Sequence, residues 1–403
     1  MIRLARLVSF AAVSGGLAGV ASYAFLKALT WATTSRVEHG WLLWLLPLAG
    51  LVIGTIYHYL AGHAAKGTRH AVREARSLSF GAPARMAPLV FGCAVLGHLC
   101  GASVGREGAA VQMSASITDT GARLLKLRSD DRQILLVASL AGGFSSIIGT
   151  PFAAVAFALL LTKRRSPLNI ITCAVSAVAG YFVVRWLDGV HRLYPAMPHI
   201  DWTLALPFKL IVAGALVGVV GRLYMWVGDS VTRFMSGRVA WPPVRPVVGG
   251  FATIGLAALF GRDYLGLSLP LLGQAIAGQH IDWWVPVLKL VFTVVALGTG
   301  FVGGEVIPLF VIGATLGATL APSLHVSPAL FAACGLATLF TTAAQVPLVG
   351  VIMATELFGW NTTVPVVVVA AAAWVALGRE GLYINRGESE GLPADAPLTS
   401  HEQ

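Results

Sequence analysis

The sequence is an almost unbroken series of apolar runs from residue 8 to residue 377, interrupted by glycine, proline and short polar turns. Hydrophobic residues make up 56% of the 403 positions and Asp, Glu, Lys and Arg only 11%, whereas soluble domains carry roughly 25% charged residues. A water-soluble globule is therefore excluded. The runs lack the strict alternation of a membrane β-barrel, whereas an α-helix satisfies its own backbone polar groups in lipid. We predict an all-α polytopic membrane protein.

Many of these runs are too short to cross a bilayer, which takes about 20 helical residues. The stretches 107–122, 151–162 and 346–358 are examples. Short apolar helices interrupted by glycine and proline are typical of broken helices that meet inside the membrane. We therefore expect many short, broken and tilted helices, together with longer ones such as a first helix at 8–33 whose amino end lies in the cytoplasm.

Basic residues outnumber acidic residues by 28 to 18, which gives a net charge of +10. The surplus lies in clusters beside apolar runs, at 66–85, 123–132 and 163–165. Because no aromatic residues are interleaved with them, these clusters predict topology signals and contacts with lipid headgroups rather than a nucleic-acid surface. The four cysteines lie singly in apolar runs without metal-ligand spacing, so we expect no disulfide, metal or other cofactor.

Part of the chain is repeated. Residues 140–161 align without a gap with residues 336–357, an offset of 196 positions, and both segments contain a Phe-x6-Pro sequence. Upstream, the Gly-Arg-Glu sequence at 105–107 corresponds to the Gly-Gly-Glu sequence at 303–305. Duplicated membrane units often lie in opposite orientation, with the substrate site near the midplane. The repeat therefore favours a transporter or channel over a membrane enzyme or a scaffold.

The repeat also suggests how the chain is divided. We place the first copy at about 8–190 and the second at about 203–377, joined by a polar linker at 190–202 outside the hydrocarbon. Together they form one transmembrane domain over residues 1–385. The last stretch, 386–403, is expected to be a short disordered tail, and no appended soluble domain is expected.

Three glutamates lie in long apolar surroundings: Glu107, Glu305 and Glu356. A charge at the bilayer centre costs roughly 2.5 to 3.5 kcal/mol even on the insertion scale. Since burial disfavours the charged form of a carboxyl group, each of them is able to carry a proton at neutral pH. The alternative is a structural acid paired with a buried arginine or with backbone amides, and this alternative weighs most for Glu356.

Glu107 and Glu305 each stand at the predicted amino end of a helix, and Pro308 suits the first turn of the second helix. The unpaired N–H groups and the positive dipole end of a helix attract anions. Two such ends, one from each repeat and each with glycines that allow close approach, predict an anion site where they meet. An amide-lined site needs no full positive charge, so it binds an anion without trapping it. Cation transport is correspondingly disfavoured.

Three motifs follow one another along the chain: Gly105-Arg106-Glu107-Gly108, then Gly304-Glu305-Val306-Ile307-Pro308 before a helix that contains Gly313, then Leu382-Tyr383. Their order and rough spacing resemble the CLC family of chloride channels and anion/proton antiporters, over nearly the whole of 8–386. The resemblance implies an inverted-repeat fold and a homodimer with one pathway per subunit, with interface helices around the two Phe-x6-Pro segments. It also implies a multi-pass protein of the inner (plasma) membrane.

The resemblance implies roles for individual residues. Glu107 is similar to the gating glutamate, whose carboxylate competes with the anion and swings aside when protonated. The amides of Val306 and Ile307 are similar to the donors of the central anion site. The Tyr383 hydroxyl is similar to the inner donor, although tyrosine is equally common as an anchor at the membrane interface. Four more motif residues are expected at the anion site: Gly105, Arg106, Gly108 and Gly304.

The filter region departs from the chloride-transporting members. Those carry a Gly-Ser-Gly type sequence, and here the corresponding stretch, 66–71, reads Lys-Gly-Thr-Arg-His-Ala, without such a serine. Candidate filter residues are therefore Gly67, Thr68, Arg69 and His70. Sequence alone does not decide which of them points inward, and the simplest interpretation of Arg69 and His70 is that they mark topology and the membrane interface.

Two further departures concern protons. The inner proton-transfer glutamate of the family would fall near Leu160 or Leu161 and is missing, whereas Glu305 replaces the usual apolar residue beside the central site. We therefore expect protons to pass between Glu107 and Glu305. The same motifs are similar to the fluoride/proton antiporter branch of the family, although Ile307 stands where that branch often has threonine.

The predicted function is export of fluoride in exchange for protons by an antiporter that is not an enzyme. Its partners would be fluoride or chloride, protons and the lipid bilayer. Within the same fold, a chloride/proton exchanger or a passive chloride channel remains the alternative. From a different class, a membrane-embedded enzyme would use Glu107 and Glu305 as an acid/base pair.

Overall fold

The computed structural model describes residues 2–188 and 194–383, which contain sixteen α-helices and no named β-strand. The helices are α1 (Ile2–Glu38), α2 (Leu46–Ile56), α3 (Gly67–Arg76), α4 (Met86–Cys100), α5 (Glu107–Leu124), α6 (Ser129–Ile148), α7 (Pro151–Thr162), α8 (Pro167–Trp186), α9 (Leu206–Arg238), α10 (Arg245–Phe260), α11 (Leu269–Ile276), α12 (Trp284–Thr299), α13 (Val306–Leu324), α14 (Pro328–Ala343), α15 (Pro347–Phe358) and α16 (Thr363–Leu377). Seven helical stretches are long and apolar enough to cross a membrane. The all-α polytopic class is therefore confirmed.

The order of the helices repeats, since α1 to α8 are followed by α9 to α16 in a similar order of long and short helices. Helices α7 and α15 both contain 12 residues and begin at Pro151 and Pro347, the two prolines that the internal alignment pairs. Proline suits the first helical position because its fixed φ is already helical and its missing N–H would have had no partner there. The predicted tail at 386–403 and the start of the predicted linker, at 190–193, lie outside the described residues.

The centre of the molecule is formed by α13 and α14, which pack closely against each other. A Cβ atom on Gly313 would lie only 2.1 Å from the backbone oxygen of Gly335. A Cβ on Gly317 would lie 2.0 Å from the oxygen of Phe331. Small residues therefore permit this approach, as they do at many helix crossings in membranes. The contact holds α13, the helix whose amino end carries Val306, in the middle of the protein.

Aromatic rings join the two repeats beside this crossing. The rings of Phe144 and Phe157 stack with centroids 4.4 Å apart, and Phe340 lies 6.5 Å and 6.2 Å from them. Phe310 meets Phe340 edge-on at 6.0 Å. Phe144 and Phe340 occupy equivalent positions in the internal alignment. The repeated phenylalanines thus pack on each other where the two copies meet.

Basic side chains gather at one end of the molecule, which we call the basic end. Arg3 and Arg6, at the start of α1, each donate to the buried carboxylate of Asp131 at 2.7 Å. Asp131 lies in the first turn of α6. Arg132, next in sequence, pairs with the buried Asp119 near the end of α5 at 3.0 Å. Arg132, from the predicted basic cluster at 123–132, therefore lies at one end with the two arginines of α1, and all three pair with buried acids.

Several boundaries differ from those expected from the apolar runs. Helix α1 starts earlier and ends later than 8–33, and α9 continues beyond residue 226 to Arg238. Helix α3 was expected only as a filter and charged segment, because its sequence carries five charged or histidine side chains in ten positions. It is amphipathic: His70 and Glu74 point inward, and Glu74 Oε2 accepts the backbone N–H groups of Ser79, Phe80 and Gly81. A search for apolar runs passes over a helix of this kind.

Candidate anion and proton site

The two repeats meet through a pair of backbone hydrogen bonds. The N–H of Gly105 donates to the oxygen of Gly304 at 2.6 Å, and the N–H of Gly304 donates to the oxygen of Gly105 at 2.8 Å, which forms an isolated antiparallel bridge. A Cβ on Gly105 would lie 2.8 Å from the oxygen of Gly304, so a larger residue would push apart the two segments that the bridge joins. The bridge brings the amino ends of α5 and α13 together.

Glu107 is the first residue of α5, and its side chain is fully buried. Its Oε2 accepts the backbone N–H of Ile307 in the first turn of α13, at 3.2 Å, and the backbone N–H of Arg106, also at 3.2 Å. Its Oε1 accepts from Nε of Arg106 at 3.2 Å. The carboxylate of one repeat therefore lies at the amino end of a helix from the other repeat. This is the position that the sequence predicts for an anion.

The beginning of α3 completes the wall beside this carboxylate. The Thr68 hydroxyl donates to the oxygen of Gly108 at 3.3 Å and accepts from the Gln112 side-chain amide at 3.2 Å. A Cβ on Gly108 would lie 2.9 Å from the Thr68 hydroxyl and 3.1 Å from Cα of Gly304. Gly67 begins α3 with φ at +56°, a conformation that favours glycine. The amino ends of α3, α5 and α13 therefore converge beside Glu107.

A small void lies against Glu107. Its volume is about 20 Å³, and it is lined by residues of both repeats: Arg106, Glu107, Ile148, Tyr194, Ile307, Phe310 and Leu357. Such a volume accommodates about one water molecule. The lining is mostly apolar, so a small anion there would rely on the donors around Glu107. The buried Val306 precedes Ile307 and lies at the same helix end.

A larger cavity of about 140 Å³ lies on the side of Glu305. Its polar lining residues are Arg69, Tyr224, Asp229, Thr232 and Glu305, and Leu382 belongs to its wall as well. Glu305 is partly buried and stands immediately before the first residue of α13. The structure therefore brings Arg69, Glu305 and the segment that contains Leu382 to one cavity, and the sequence did not predict this position for Arg69.

Tyr383 follows Leu382 and packs close to the same region. Its ring is partly buried and meets the edge of Phe340 with centroids 6.5 Å apart. The N–H of Leu382 donates to the oxygen of Ala343 at 2.9 Å, which fixes this short segment against α14. Tyr383 therefore lies beside Phe340 at the centre where the two repeats meet. Its role as an anion donor stays a prediction.

His70 points away from the two cavities. Its Nε2 lies 3.0 Å from the oxygen of Gly81, its Nδ1 lies 4.0 Å from Glu74, and its ring stacks on His63. The neighbouring Arg69 lines the large cavity instead. Successive residues of a helix point about 100° apart, which explains why only one of the two faces the cavity.

Glu356, the third acid in apolar surroundings, makes its hydrogen bonds to α7 and not to the residues of the Gly105–Gly304 bridge. It lies on α15, and its two carboxylate oxygens accept the backbone N–H groups of Phe152 at 3.0 Å and Ala153 at 2.8 Å. These are the first N–H groups of α7, so the acid is satisfied by a helix amino end. The structural alternative set out for Glu356 thus matches its surroundings.

Lys289 is a buried charge that the sequence analysis missed. It is fully buried on α12, and its Nζ donates to the Ser103 hydroxyl at 2.8 Å, to the Ser268 hydroxyl at 2.9 Å and to the oxygens of Tyr264 and Gly266 at 3.1 Å and 2.8 Å. Ser103 lies two residues before the bridge. The sequence carries a signal for Lys289, because a lysine inside an apolar run is as unusual as a glutamate.

Within residues 2–188 and 194–383, no group of three or more His, Cys, Asp or Glu side chains is arranged to hold a metal ion. The four cysteines are free and buried. The groups that the structure places around Glu107 are backbone amide donors and the Arg106 guanidinium.

Comparison with known proteins agrees with this geometry. The family model described as "voltage gated chloride channel" matches residues 49–377. A chloride/fluoride channel protein from Pseudomonas syringae pv. tomato is 35% identical over 390 residues, which cover 94% of this chain and 86% of the relative. An H(+)/Cl(-) exchange transporter from Cronobacter sakazakii is 24% identical and covers 94% of this chain and 88% of its own length.

Solved structures extend the comparison. The crystal structure of a CLC-type fluoride/proton antiporter superimposes with a TM-score of 0.90 at 30% identity and covers 94% of this chain and 97% of that one. A slow cyanobacterial Cl-/H+ antiporter shares the fold, with a TM-score of 0.81 at 18% identity and coverage of 92% and 94%. The inverted-repeat fold is therefore confirmed. The chain belongs to the CLC family, the family of voltage gated chloride channels.

Proposed function

We propose that this protein exchanges fluoride for protons across the cell's inner membrane and thereby expels fluoride. The observation that carries the proposal is the contact between the Glu107 carboxylate and the backbone N–H of Ile307, 3.2 Å apart at the crossing of the two repeats. A carboxylate at a helix amino end occupies the position that favours a small anion. The two therefore compete for the same donors.

Protonation decides the competition. The charged Glu107 carboxylate is held by the Ile307 and Arg106 N–H groups. A proton on the carboxyl removes the charge that strengthens these bonds, so the side chain leaves and the donors become available to an anion. When the proton departs, the carboxylate returns and displaces the anion. One proton and the anion thus use the same site in alternation, and this is the basis of exchange.

Two observations support fluoride, rather than chloride, as the transported anion: the chemistry of the site and the descriptions of similar proteins. Fluoride is small and tightly hydrated, so a selective site has to replace its water with short, strong hydrogen bonds in dry surroundings. The void beside Glu107 has about the volume of one water molecule, and Ile307 and Phe310 are among its apolar lining residues. The relative at 35% identity is described as a chloride/fluoride channel protein, and the fluoride/proton antiporter structure is 30% identical.

The basic end indicates the orientation. Arginines and lysines are enriched on the cytoplasmic side of membrane proteins, so we place Arg3, Arg6 and Arg132 in the cytoplasm. A proton gradient directed into the cell then drives fluoride outward. Membership in a family of transporters and channels supports transport, rather than acid/base catalysis, as the role of Glu107 and Glu305.

A flux measurement tests the proposal. Purified protein in proteoliposomes is given a fluoride gradient, and fluoride and proton movements are recorded together with a fluoride electrode and a pH electrode. We expect fluoride to move several-fold faster than chloride, with protons moving in the opposite direction. Fluoride movement without protons would exclude antiport. Chloride outpacing fluoride would instead favour a chloride/proton exchanger, the function named for the relatives at 24% identity.

We also propose a homodimer formed through α7 and α15. Helices α7 and α15 are 12 residues long, about 18 Å, and do not span a hydrocarbon core of about 30 Å. They nevertheless expose large apolar side chains, with Phe152 73% and Leu348 55% exposed. A second copy would cover these faces without deforming the bilayer to match them.

The subunit count in lipid tests the dimer. Labelled protein is reconstituted at high dilution and bleached one fluorophore at a time. We expect two bleaching steps for most complexes and a shift to one step when Phe152 and Leu348 are both replaced by tryptophan, because the larger rings obstruct the paired surface. A single step for the unmodified protein would exclude the dimer.

A further inference from the structure

The large cavity gives Glu305 a connection to water. It has a volume of about 140 Å³, enough for several water molecules, and Glu305 lies in its wall. Part of its wall is formed by α9, which continues past the cavity to Arg233 and Arg238. Positively charged helix ends of this kind indicate the cytoplasmic side. The cavity therefore connects Glu305 with the cytoplasm.

Asp229 stands on the solvent side of this cavity. It lies on α9 and is exposed, whereas Glu305 is partly buried. Their carboxylates are near enough for their charges to interact. One acid thus faces bulk water while a second acid lies deeper, and a space large enough for water joins them. The apolar side chains of Met225, Val294 and Leu297 also line the cavity.

We propose that Asp229 exchanges protons between the cytoplasm and Glu305 through cavity water, and that during fluoride export it releases to the cytoplasm the protons that Glu305 delivers. The inference rests on the proposed fluoride/proton exchange and assigns the inner end of its proton path. It also accounts for the missing acid near Leu160 and Leu161, because α9 would supply a carboxyl group that α7 does not.

The transfer balances as a proton relay. The protonated Asp229 carboxyl gives its proton to a cavity water, and that water, or the next one in line, gives a proton to the Glu305 carboxylate. Asp229 is left as a carboxylate and regains a proton from bulk water. No other bond forms or breaks, and no electrons are transferred. The reverse sequence returns protons to the cytoplasm.

The other polar groups of the cavity suit supporting roles. Arg69 keeps its proton, because a guanidinium does not deprotonate in proteins. Its positive charge interacts with Glu305, so it stabilises the carboxylate that receives the proton. The rings of Tyr224 and the nearby Tyr383 carry hydroxyls that remain protonated at neutral pH, as does the Thr232 hydroxyl. Among the described residues that line this cavity, Asp229 and Glu305 are the two that carry carboxyl groups.

Asp229→Asn tests the relay. The amide nearly preserves the shape of the side chain and cannot carry the proton. We expect proton flux in proteoliposomes to fall about tenfold or more, since a positioned acid–base group contributes at least that much to proton transfer. Asp229→Glu, which retains a carboxyl group, should recover most of the flux. Asp130→Asn is the control, because Asp130 is an exposed acid at the basic end outside the cavity, and its flux should equal that of the unmodified protein.

Combining Asp229→Asn with Glu107→Ala distinguishes a loss of proton transfer from damage to the anion path. In Glu107→Ala protein, fluoride should cross without protons, so adding Asp229→Asn should leave that fluoride flux intact if Asp229 serves protons. A parallel loss of fluoride flux there would show a structural or electrostatic defect and overturn the relay. So would proton flux in Asp229→Asn equal to that of Asp130→Asn. If the unmodified protein moves no protons at all, the proposed exchange fails, independently of Asp229.

Discussion

Glu107→Ala protein is expected to carry fluoride down its gradient without moving protons in return. In the structure the Glu107 carboxylate is held by the Ile307 N–H and by Arg106, so it blocks the donors that an anion would use. Alanine removes both the block and the group that carries the proton. Proton flux should fall by about two orders of magnitude, the usual contribution of a positioned acid–base group, while fluoride flux persists. Paired fluoride and pH recordings from proteoliposomes measure both.

The matched control for this variant is Glu356→Gln. Glu356 is also an acid within the membrane domain, but its oxygens accept the N–H groups of Phe152 and Ala153, and a glutamine oxygen accepts such bonds too. Exchange should therefore remain coupled in Glu356→Gln. If Glu107→Ala still moved protons with fluoride at the unmodified ratio, Glu107 would not be the gating residue.

Lys289→Met is expected to be the substitution that most reduces stability among the changes considered. Methionine fills a similar volume but leaves the oxygens of Tyr264 and Gly266 and the hydroxyl of Ser268 without their donor. Each buried polar group left unpaired costs about 1 to 3 kcal/mol. Relief from burying an ammonium offsets part of this sum, since that burial itself costs several kcal/mol. We expect a net loss of about 3 kcal/mol, because several acceptors lose one shared donor.

Thermal unfolding in detergent, followed by the fraction of protein that stays soluble and monodisperse, measures the loss. Lys209→Met is the control, because Lys209 is only partly buried on α9, and among the described residues its Nζ makes one long hydrogen bond, to the oxygen of His325 at 3.5 Å. Its midpoint should match that of the unmodified protein, while Lys289→Met should melt several degrees lower. Equal midpoints for the two variants would mean that Ser103, Ser268 and the two carbonyls find other partners.

The sequence predicted the centre of the fold well. Pro151 and Pro347 begin their helices as expected, because proline restricts the backbone in the same way wherever it stands. The meeting of Glu107 with Ile307 was also foreseen, since each motif marks a helix amino end and both repeats supply one. These features depend on local chemistry and on the symmetry of a duplication, and both are visible in the sequence.

The parts that were not foreseen depend on which side of a helix faces which space. Helix α3 was missed because its inward residues are polar, and α11 because eight residues give too short a run. Asp229 lies beyond the predicted end of α9, in a stretch that resembles an ordinary charged helix end. Arg69 was assigned to the membrane interface although it lines the cavity. Only the packed arrangement of the helices decides such orientations.

The reciprocal hydrogen bonds between Gly105 and Gly304 have a consequence for biosynthesis. Glu107 leaves the ribosome nearly 200 residues before the amide of Ile307, which it will contact. Until the second half is inserted, that glutamate has no complementary helix end, and the backbone of Gly105 lacks its counterpart. A nascent chain truncated between the repeats would therefore contain a whole copy of the ancestral unit and still have no place for an ion.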